Sequence, residues 1–268
     1  MLLFMMLVNA VYTYLLVALP QSSSTAAMQQ LGALSGRPVS QRFPCCAEQP
    51  CHTPDGTVSE AGRRPSLPSL KEQDPIHALA VQHSDMCELP RDTLSRWING
   101  TTIYKQHVAP TVQNLGNVKI GLETSQSSGL VVLTREPRAS LHARCERYRR
   151  ERGFKLAFAW MRDHGLQHFN GLKAWNAQWA EFASAMPSRI KVVRYEQMRS
   201  SADRKQTLLA VLRFWHLPAL PSMFDNSLMS AAHYVNRSDP ICMFANSLSA
   251  MRRVSRKATW EQGPWLKW

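Results

Sequence analysis

The sequence predicts an α/β fold in which a parallel sheet is flanked by helices, and three observations support this. Two short apolar runs, residues 129–134 and 189–195, have the length and the β-branched content of buried strands. Residues with helical apolar spacing follow each run, from Pro137 in the first case and from Ser200 or Ser201 in the second. Strands that alternate with helices in this way are typical of parallel βαβ units.

The sequence predicts three helices in this unit and indicates where each of them ends. The basic helix that begins at Pro137 is predicted to extend through Lys155. The next helix has its apolar side chains on one stripe over residues 171–186, and Pro187 ends it. The third is leucine-rich and is predicted to run to about His216.

The composition is that of a globular protein with an anionic partner. The chain has 268 residues, 44% hydrophobic and 19% charged, which excludes wholesale disorder and fits one medium domain with attachments. Lys and Arg number 32 against 19 Asp and Glu, a net charge of +13. This excess indicates a nucleic acid, an acidic lipid, a phosphorylated nucleotide or an acidic polysaccharide as partner.

The amino-terminal segment is the most hydrophobic part of the chain. Met1 to Leu19 holds no charged side chain, and as a helix it would span about 28 Å, the thickness of a bilayer core. We therefore interpret residues 1–20 as a signal anchor or signal peptide, with a buried core helix as the alternative. Residues 21–75, rich in Pro, Ser and Gly, are interpreted as a stem or linker, and residues 76–268 as the globular domain.

Lys105, His107 and Arg135 are the first candidates for chemistry. Lys105 and His107 alternate on a predicted strand, so they face the same side, where a Lys neutralises an anion and a His takes a proton from a hydroxyl. Arg135 follows a strand and precedes a helix, a place where free amides and a guanidinium bind phosphate. The alternatives are a surface pair and a solvated arginine.

Two further segments carry candidate binding residues. Tyr195 follows the second strand, where a tyrosine either stacks on an adenine or packs half-buried. A basic cluster near the carboxyl terminus suits a phosphate clamp or is a solvated tail; its members are Arg252, Arg253, Arg256 and Lys257. No metal is expected, because the adjacent Cys45 and Cys46 do not have the spacing of a structural zinc site.

Taken in order, these segments resemble the sulfotransferase family, whose donor is 3′-phosphoadenosine 5′-phosphosulfate (PAPS). The best parts are VVLTREPRASL and KVVRYEQM with FWHLP further on, similar to the family's "RDPR" and "RYEDL…FLGLP" segments. The resemblance covers roughly residues 100–260. It implies the P-loop NTPase-like sulfotransferase architecture, with a parallel sheet flanked by helices.

The resemblance assigns roles to single residues. Arg135 is similar to the arginine that holds the donor's 3′-phosphate, and Tyr195 to the adenine-side tyrosine. Arg256 and Lys257 resemble the basic pair of the carboxyl-terminal phosphate loop. The serine that the family has eight positions after the arginine is replaced here by Ala143, and the glycine after the basic pair is an alanine.

The segment YKQHVAP resembles the family's "KTHLP". It makes His107 the candidate general base and Lys105 the candidate sulfonate contact; Glu123 is a second candidate base. The family's phosphosulfate loop, similar to "PKSGTTW", has no clear counterpart. Thr53–Val58 has Asp55 in place of the Lys, and a Gly-Thr-Thr core before Lys105 lies too close to it.

The resemblance implies transfer of a sulfuryl group from PAPS, without a metal, to a hydroxyl or amine. Residues 135–155 carry eight Lys or Arg against three Asp or Glu, which favours an acidic glycan as acceptor. With the hydrophobic leader, this predicts a glycoprotein anchored in the Golgi membrane by a single span with a lumenal domain, or a secreted one, with sequons at Asn99 and Asn236. The alternatives are an inactive sulfotransferase-like glycan-binding protein and a basic nucleic-acid-binding protein; the leader makes a nucleic-acid partner unexpected.

Overall fold

A computed structural model describes nine parts of the chain: residues 14–19, 24–40, 51–52, 58–59, 72–83, 86–87, 103–124, 129–198 and 200–220. The strands are β1 (Tyr14–Ala18), β2 (Val39–Ser40), β3 (Cys51–His52), β4 (Val58–Ser59), β5 (Met86–Cys87), β6 (Ile103–Val108), β7 (Leu130–Thr134) and β8 (Ile190–Arg194). The helices are α1 (Ser24–Ser35), α2 (Pro75–Gln82), α3 (Val112–Thr124), α4 (Pro137–Arg152), α5 (Phe154–Ala185) and α6 (Ser201–Phe214). A 3₁₀ turn, Tyr195–Met198, follows β8.

The main sheet is parallel, as predicted. Its order is β2-β6-β1-β7-β8, and β5 also pairs with β6. Strand β2 lies beside the first residues of β6, at Ile103, whereas β5 lies beside its last, with Met86 opposite His107. All of these pairs run in the same direction, so their carboxyl ends form one edge.

The centre of this sheet is β1, which lies inside the predicted membrane anchor. Its side chains are at most 2% exposed, and it pairs with β6 on one side and with β7 on the other. The structure therefore corrects the interpretation of residues 1–20 as a signal anchor or signal peptide wherever it describes them, at residues 14–19. A central parallel strand is buried on both faces, so its sequence is a continuous apolar run that resembles a membrane segment.

The predicted stem also contains regular structure. Helix α1 and strand β2 lie within residues 21–75, so the folded unit begins by Tyr14 and not near Ile76. In the parts of the chain that the structure describes, no helix is both long and apolar enough to cross a membrane.

Helices cover both faces of the sheet. On one face α1 and α6 pack over one core, in which Leu31 and Trp215 are 1% and 0% exposed. On the other face α2, α4 and α5 pack over a second core around Trp175 and Trp179. The predicted helix that begins at Ser200 or Ser201 is confirmed as α6, because the Ser200 hydroxyl accepts a hydrogen bond from the Asp203 amide.

Helices α4 and α5 form an antiparallel hairpin that rises beyond the carboxyl edge of the sheet. The turn between them is Gly153, whose φ of 85° favours glycine. Helix α5 has 32 residues, about twice the predicted length, and its Asn176 amide donates to the Arg135 carbonyl at the end of β7. The part of α5 before Asn176 therefore extends by about 30 Å past this edge, with Tyr148 of α4 stacked on Trp160.

Candidate functional site

The carboxyl edge of the sheet brings together the ends of four strands. From β1 the chain passes through α1, on one face, towards β2 and β6, whereas from β7 it passes through α4 and α5, on the other face, to β8. The connections therefore diverge between β1 and β7, where the Leu19 amide donates to the Leu133 carbonyl. Open α/β sheets bind ligands at such a switch point.

Arg135 and Tyr195 meet at this edge. They follow the neighbouring strands β7 and β8, and the Arg135 guanidinium carbon lies 4.6 Å from the centre of the Tyr195 ring. Helix α5 fixes the backbone of Arg135, because the Asn176 side-chain amide donates a hydrogen bond to the Arg135 carbonyl at 2.9 Å. The arrangement presents a guanidinium and an aromatic ring side by side, which suits a phosphate next to a purine.

The amino terminus of α4 differs from the prediction. The free amides expected after Arg135 are not available, because the Glu136 carboxylate accepts from the amides of Arg138 and Ala139 at 3.0 and 2.6 Å. The Glu136 amide in turn donates to the Glu196 carboxylate at 2.9 Å. An anion at this position therefore depends on the Arg135 side chain and not on the amides of the helix.

His107 and Lys105 lie on one side of β6, as their alternation predicted. Each is 8% exposed. They share their side of the strand with Ile103, which belongs to the core under α1. His107 Nδ1 lies 2.7 Å from the Ala18 carbonyl of β1. A carbonyl only accepts hydrogen bonds, so Nδ1 carries the proton, and in the neutral ring the lone pair is on Nε2, as a general base requires.

The connection from β1 to α1 is a further candidate segment, which sequence reasoning missed. Strand β1 ends at Ala18 beside His107, and α1 begins at Ser24. The intervening sequence, Pro-Gln-Ser-Ser, leads into Ser24-Thr25 and so matches the family's "PKSGTTW" in position, with Gln21 in place of the lysine. The signal for this segment is the six-residue apolar run 14–19, which proline and a serine cluster follow. The uncharged residues before position 14 extend the run and make it resemble a membrane segment instead of a strand.

The remaining predicted residues do not join this site in the structure. Arg256 and Lys257 lie outside the described residues, as do Asp55 and the other residues between Cys51–His52 and Val58–Ser59. Glu123 lies in the last turn of α3, 55% exposed and paired with Lys119. Because α3 leads away from the end of β6, this places Glu123 more than three helical turns from His107. Among the described residues no cluster of three or more His, Cys, Asp or Glu side chains could hold a metal ion.

A pair of buried histidines lies between the hairpin and the end of β6. His83 and His168 are 3% and 0% exposed, with ring centres 5.0 Å apart, and His168 Nδ1 donates to the Gln82 side-chain oxygen at 2.5 Å. Burial, followed by the charges of Arg144 and His164, lowers the pKa of His168 to about 3. Burial, followed by His168 and Arg144, lowers the pKa of His83 well below its usual value.

These histidines should make the fold sensitive to acid. Their pKa values are lower in the folded chain than the 6.5 of an unfolded histidine, so the unfolded state binds protons first as the pH falls. Stability present above about pH 6.5 should decline as the pH falls, and His168 contributes about 1.4 kcal/mol per pH unit down to about pH 3. In His168→Asn, which retains a donor for Gln82 but does not titrate, urea unfolding at several pH values should show a shallower decline. An unchanged decline, equal to that of the exposed His164→Asn control, would contradict this assignment.

No protein-family model matches the sequence, and no curated protein matches it. Solved structures with a similar fold include two sulfotransferases. One is mouse sulfotransferase SULT7A1 complexed with PAP, with 10% identity over 80% of this chain and 61% of that chain and a TM-score of 0.45. The other is a sulfotransferase from Alicyclobacillus acidocaldarius, with 10% identity over 92% of this chain and 96% of that chain and a TM-score of 0.49. The likeness concerns the fold alone, and in fold the chain is similar to sulfotransferases.

Proposed function

We propose that this chain transfers a sulfuryl group from PAPS to a hydroxyl of an acceptor. The observation that carries the proposal is the geometry of the carboxyl edge. The Arg135–Tyr195 pair lies on one side of the end of β1, and His107 lies on the other. The His107 ring donates a hydrogen bond from Nδ1 to the Ala18 carbonyl. A donor bound between β1 and β7 would therefore have a nucleotide contact and a base at opposite ends.

The residues fit the nucleotide end of PAPS. Arg135 would hold the 3′-phosphate by two parallel hydrogen bonds, and Tyr195 would lie against the adenine. In the sequence the position of the family's lysine is taken by Gln21, whose amide donates a hydrogen bond but has no charge. Lys105 and the positive end of the α1 dipole are then the positive groups left to balance the phosphosulfate.

When bound, PAPS supplies an activated sulfuryl group, and the protein supplies position and charge. His107 Nε2 would take the proton of the acceptor hydroxyl, while its Nδ1 bond to Ala18 holds the ring in orientation. Lys105 lies two residues before His107, about 7 Å along the strand, a distance that its extended side chain spans. It would stabilise the charge that develops on the transferred group, as cations do in phosphoryl transfer.

An acidic glycan acceptor in the Golgi lumen stays part of this proposal. The basic hairpin supports an anionic acceptor, since α4 starts beside the site with Arg138 exposed in its first turn. Cys145 of α4 is disulfide-bonded, which accords with an oxidising compartment. Endoglycosidase sensitivity at Asn99 and Asn236 in cells tests the placement in the secretory pathway.

The test is a titration of the full chain with adenosine 3′,5′-bisphosphate, followed by transfer assays with radiolabelled PAPS. At a hundred times its dissociation constant the nucleotide should stabilise the fold by about 2.7 kcal/mol, measured as a saturable rise in the unfolding temperature. Transfer to acidic glycans would support the complete proposal. Nucleotide binding without transfer to any glycan, phenol or amine would favour the inactive glycan-binding alternative. No binding would contradict the donor site.

A further inference from the structure

The tip of the α4–α5 hairpin exposes apolar and basic side chains together. Around the Gly153 turn, Phe154 and Leu156 are 51% and 54% exposed. The sequence from Glu146 to Leu156 has five Lys or Arg and two Glu, a net charge of +3. Exposed apolar side chains rimmed by polar ones are typical of protein or membrane interaction sites, and these two with their neighbouring cations form a small surface of that kind.

The cations surround the two apolar side chains. Arg150 and Arg152, in the last turn of α4, are exposed, and Lys155 lies between Phe154 and Leu156 and is also exposed. The first turn of α5 has no side-chain cap at Gly153, so its amides point outwards from the tip. The tip therefore offers cations and amide donors for phosphates at the same level as two apolar groups.

The position of the tip allows it to contact a surface without blocking the candidate site. Asn176 of α5 lies at the edge of the sheet through its bond to the Arg135 carbonyl, and Phe154 precedes it by 22 residues, about 33 Å of helix. The contact of Tyr148 with Trp160 and of Arg144 with the same ring holds the hairpin together below the tip.

We propose that this tip, residues 150–156, docks the protein on an anionic membrane surface. Phe154 and Leu156 would enter the boundary between headgroups and acyl chains, while Arg150, Arg152 and Lys155 would bind lipid phosphates and acidic headgroups. The apolar pair favours a membrane over a duplex nucleic acid or an acidic polysaccharide, whose affinity for a basic surface comes mainly from contacts of cations with the anionic groups. The site at the sheet edge would then work on acceptors about 30 Å from the bilayer.

The test is flotation of the full chain with vesicles of phosphatidylcholine containing about 30% phosphatidylserine, compared with phosphatidylcholine alone. The wild-type chain should partition onto the acidic vesicles. Arg150→Gln with Arg152→Gln should lower this partition about thirtyfold, and Phe154→Ser with Leu156→Ser about tenfold. Circular dichroism and thermal unfolding establish that each variant is folded.

Two matched controls separate the tip from general charge and apolarity. Lys205→Gln with Arg213→Gln removes the same charge from exposed positions of α6, and Val112→Ser with Ile120→Ser removes two exposed apolar side chains from α3. Both control variants should float like the wild type. The proposal is overturned if they lose as much binding as the tip variants, or if the wild type does not float.

A third experiment, retention on heparin, distinguishes a tip that binds soluble polyanions from a tip that binds membranes. Retention on immobilised heparin should fall in the variant without Arg150 and Arg152 and stay unchanged in the variant without Phe154 and Leu156. If vesicle binding follows this same order, with no effect of the apolar pair, the tip is a polyanion site and membrane docking is excluded. Nucleotide binding at Arg135 should be the same in all tip variants, so this test is independent of the proposed transfer reaction.

Discussion

Arg135→Ala should bind the nucleotide far more weakly than the wild-type chain. The guanidinium lies on the Tyr195 ring at the end of β7, and the amides of α4 that would otherwise hold a phosphate are bound to Glu136. The backbone amides of α4 therefore cannot compensate for its loss. Removal of a charged, bidentate hydrogen-bonding group should weaken the affinity for adenosine 3′,5′-bisphosphate by about a hundredfold, measured by isothermal titration calorimetry.

The control for this variant is Arg150→Ala, which removes the same charge at the far end of α4. It should bind the nucleotide as the wild type does. Arg135→Lys should be intermediate, because lysine keeps the charge but not the planar fork or the stacking on Tyr195. Equal affinities for the wild type and Arg135→Ala would remove the end of β7 from the donor site.

His107→Asn should lose turnover and keep its nucleotide affinity. An asparagine amide retains a donor for the Ala18 carbonyl but has no basic nitrogen, so the variant removes the base with little change to the end of β1. General-base catalysis contributes about a hundredfold to ten-thousandfold, and we expect kcat to fall by this range in a PAPS transfer assay.

Two comparisons make this result specific. His107→Ala should lose as much turnover as His107→Asn but should also be less stable, because the Ala18 carbonyl then has no donor. The exposed His164→Asn on α5 should retain full turnover. If His107→Asn stays active, His107 is not the base, and another group at the sheet edge must take the proton.

The sequence predicted well those strands and helices whose signal lies within a few neighbouring residues. The apolar runs that became β7 and β8 are short, β-branched and bounded by turn residues, and Pro137 and Ser200 mark helix starts by their own chemistry. The same signals placed Arg135 and Tyr195 each at the end of a strand, and the pairing of β7 with β8 brings them together.

The elements that the sequence did not predict depend on distant partners. The run at Tyr14–Ala18 is as apolar as a membrane segment, and only its pairing with β6 and β7 makes it the central strand. Helix α1 has an ordinary composition of serine, alanine and glutamine, and it forms against the core that Leu31 shares with β1. Because the sequence does not reveal β1 as a strand, the serine-rich start of α1 is more typical of a stem than of a helix that follows a strand.

The sequence alone determined the parallel α/β class, the two strands that carry Arg135 and Tyr195, and the alternation that puts Lys105 and His107 on one side. These depend on side-chain periodicity and on turn chemistry, which neighbouring residues express. Only the tertiary structure decided that the apolar amino-terminal run is β1, that Glu136 occupies the amides of α4, and that the Ala18 carbonyl sets the tautomer of His107. Each of these depends on groups that come into contact only when the sheet has folded. Burial and hydrogen-bond partners are properties of the packed chain and not of the local sequence.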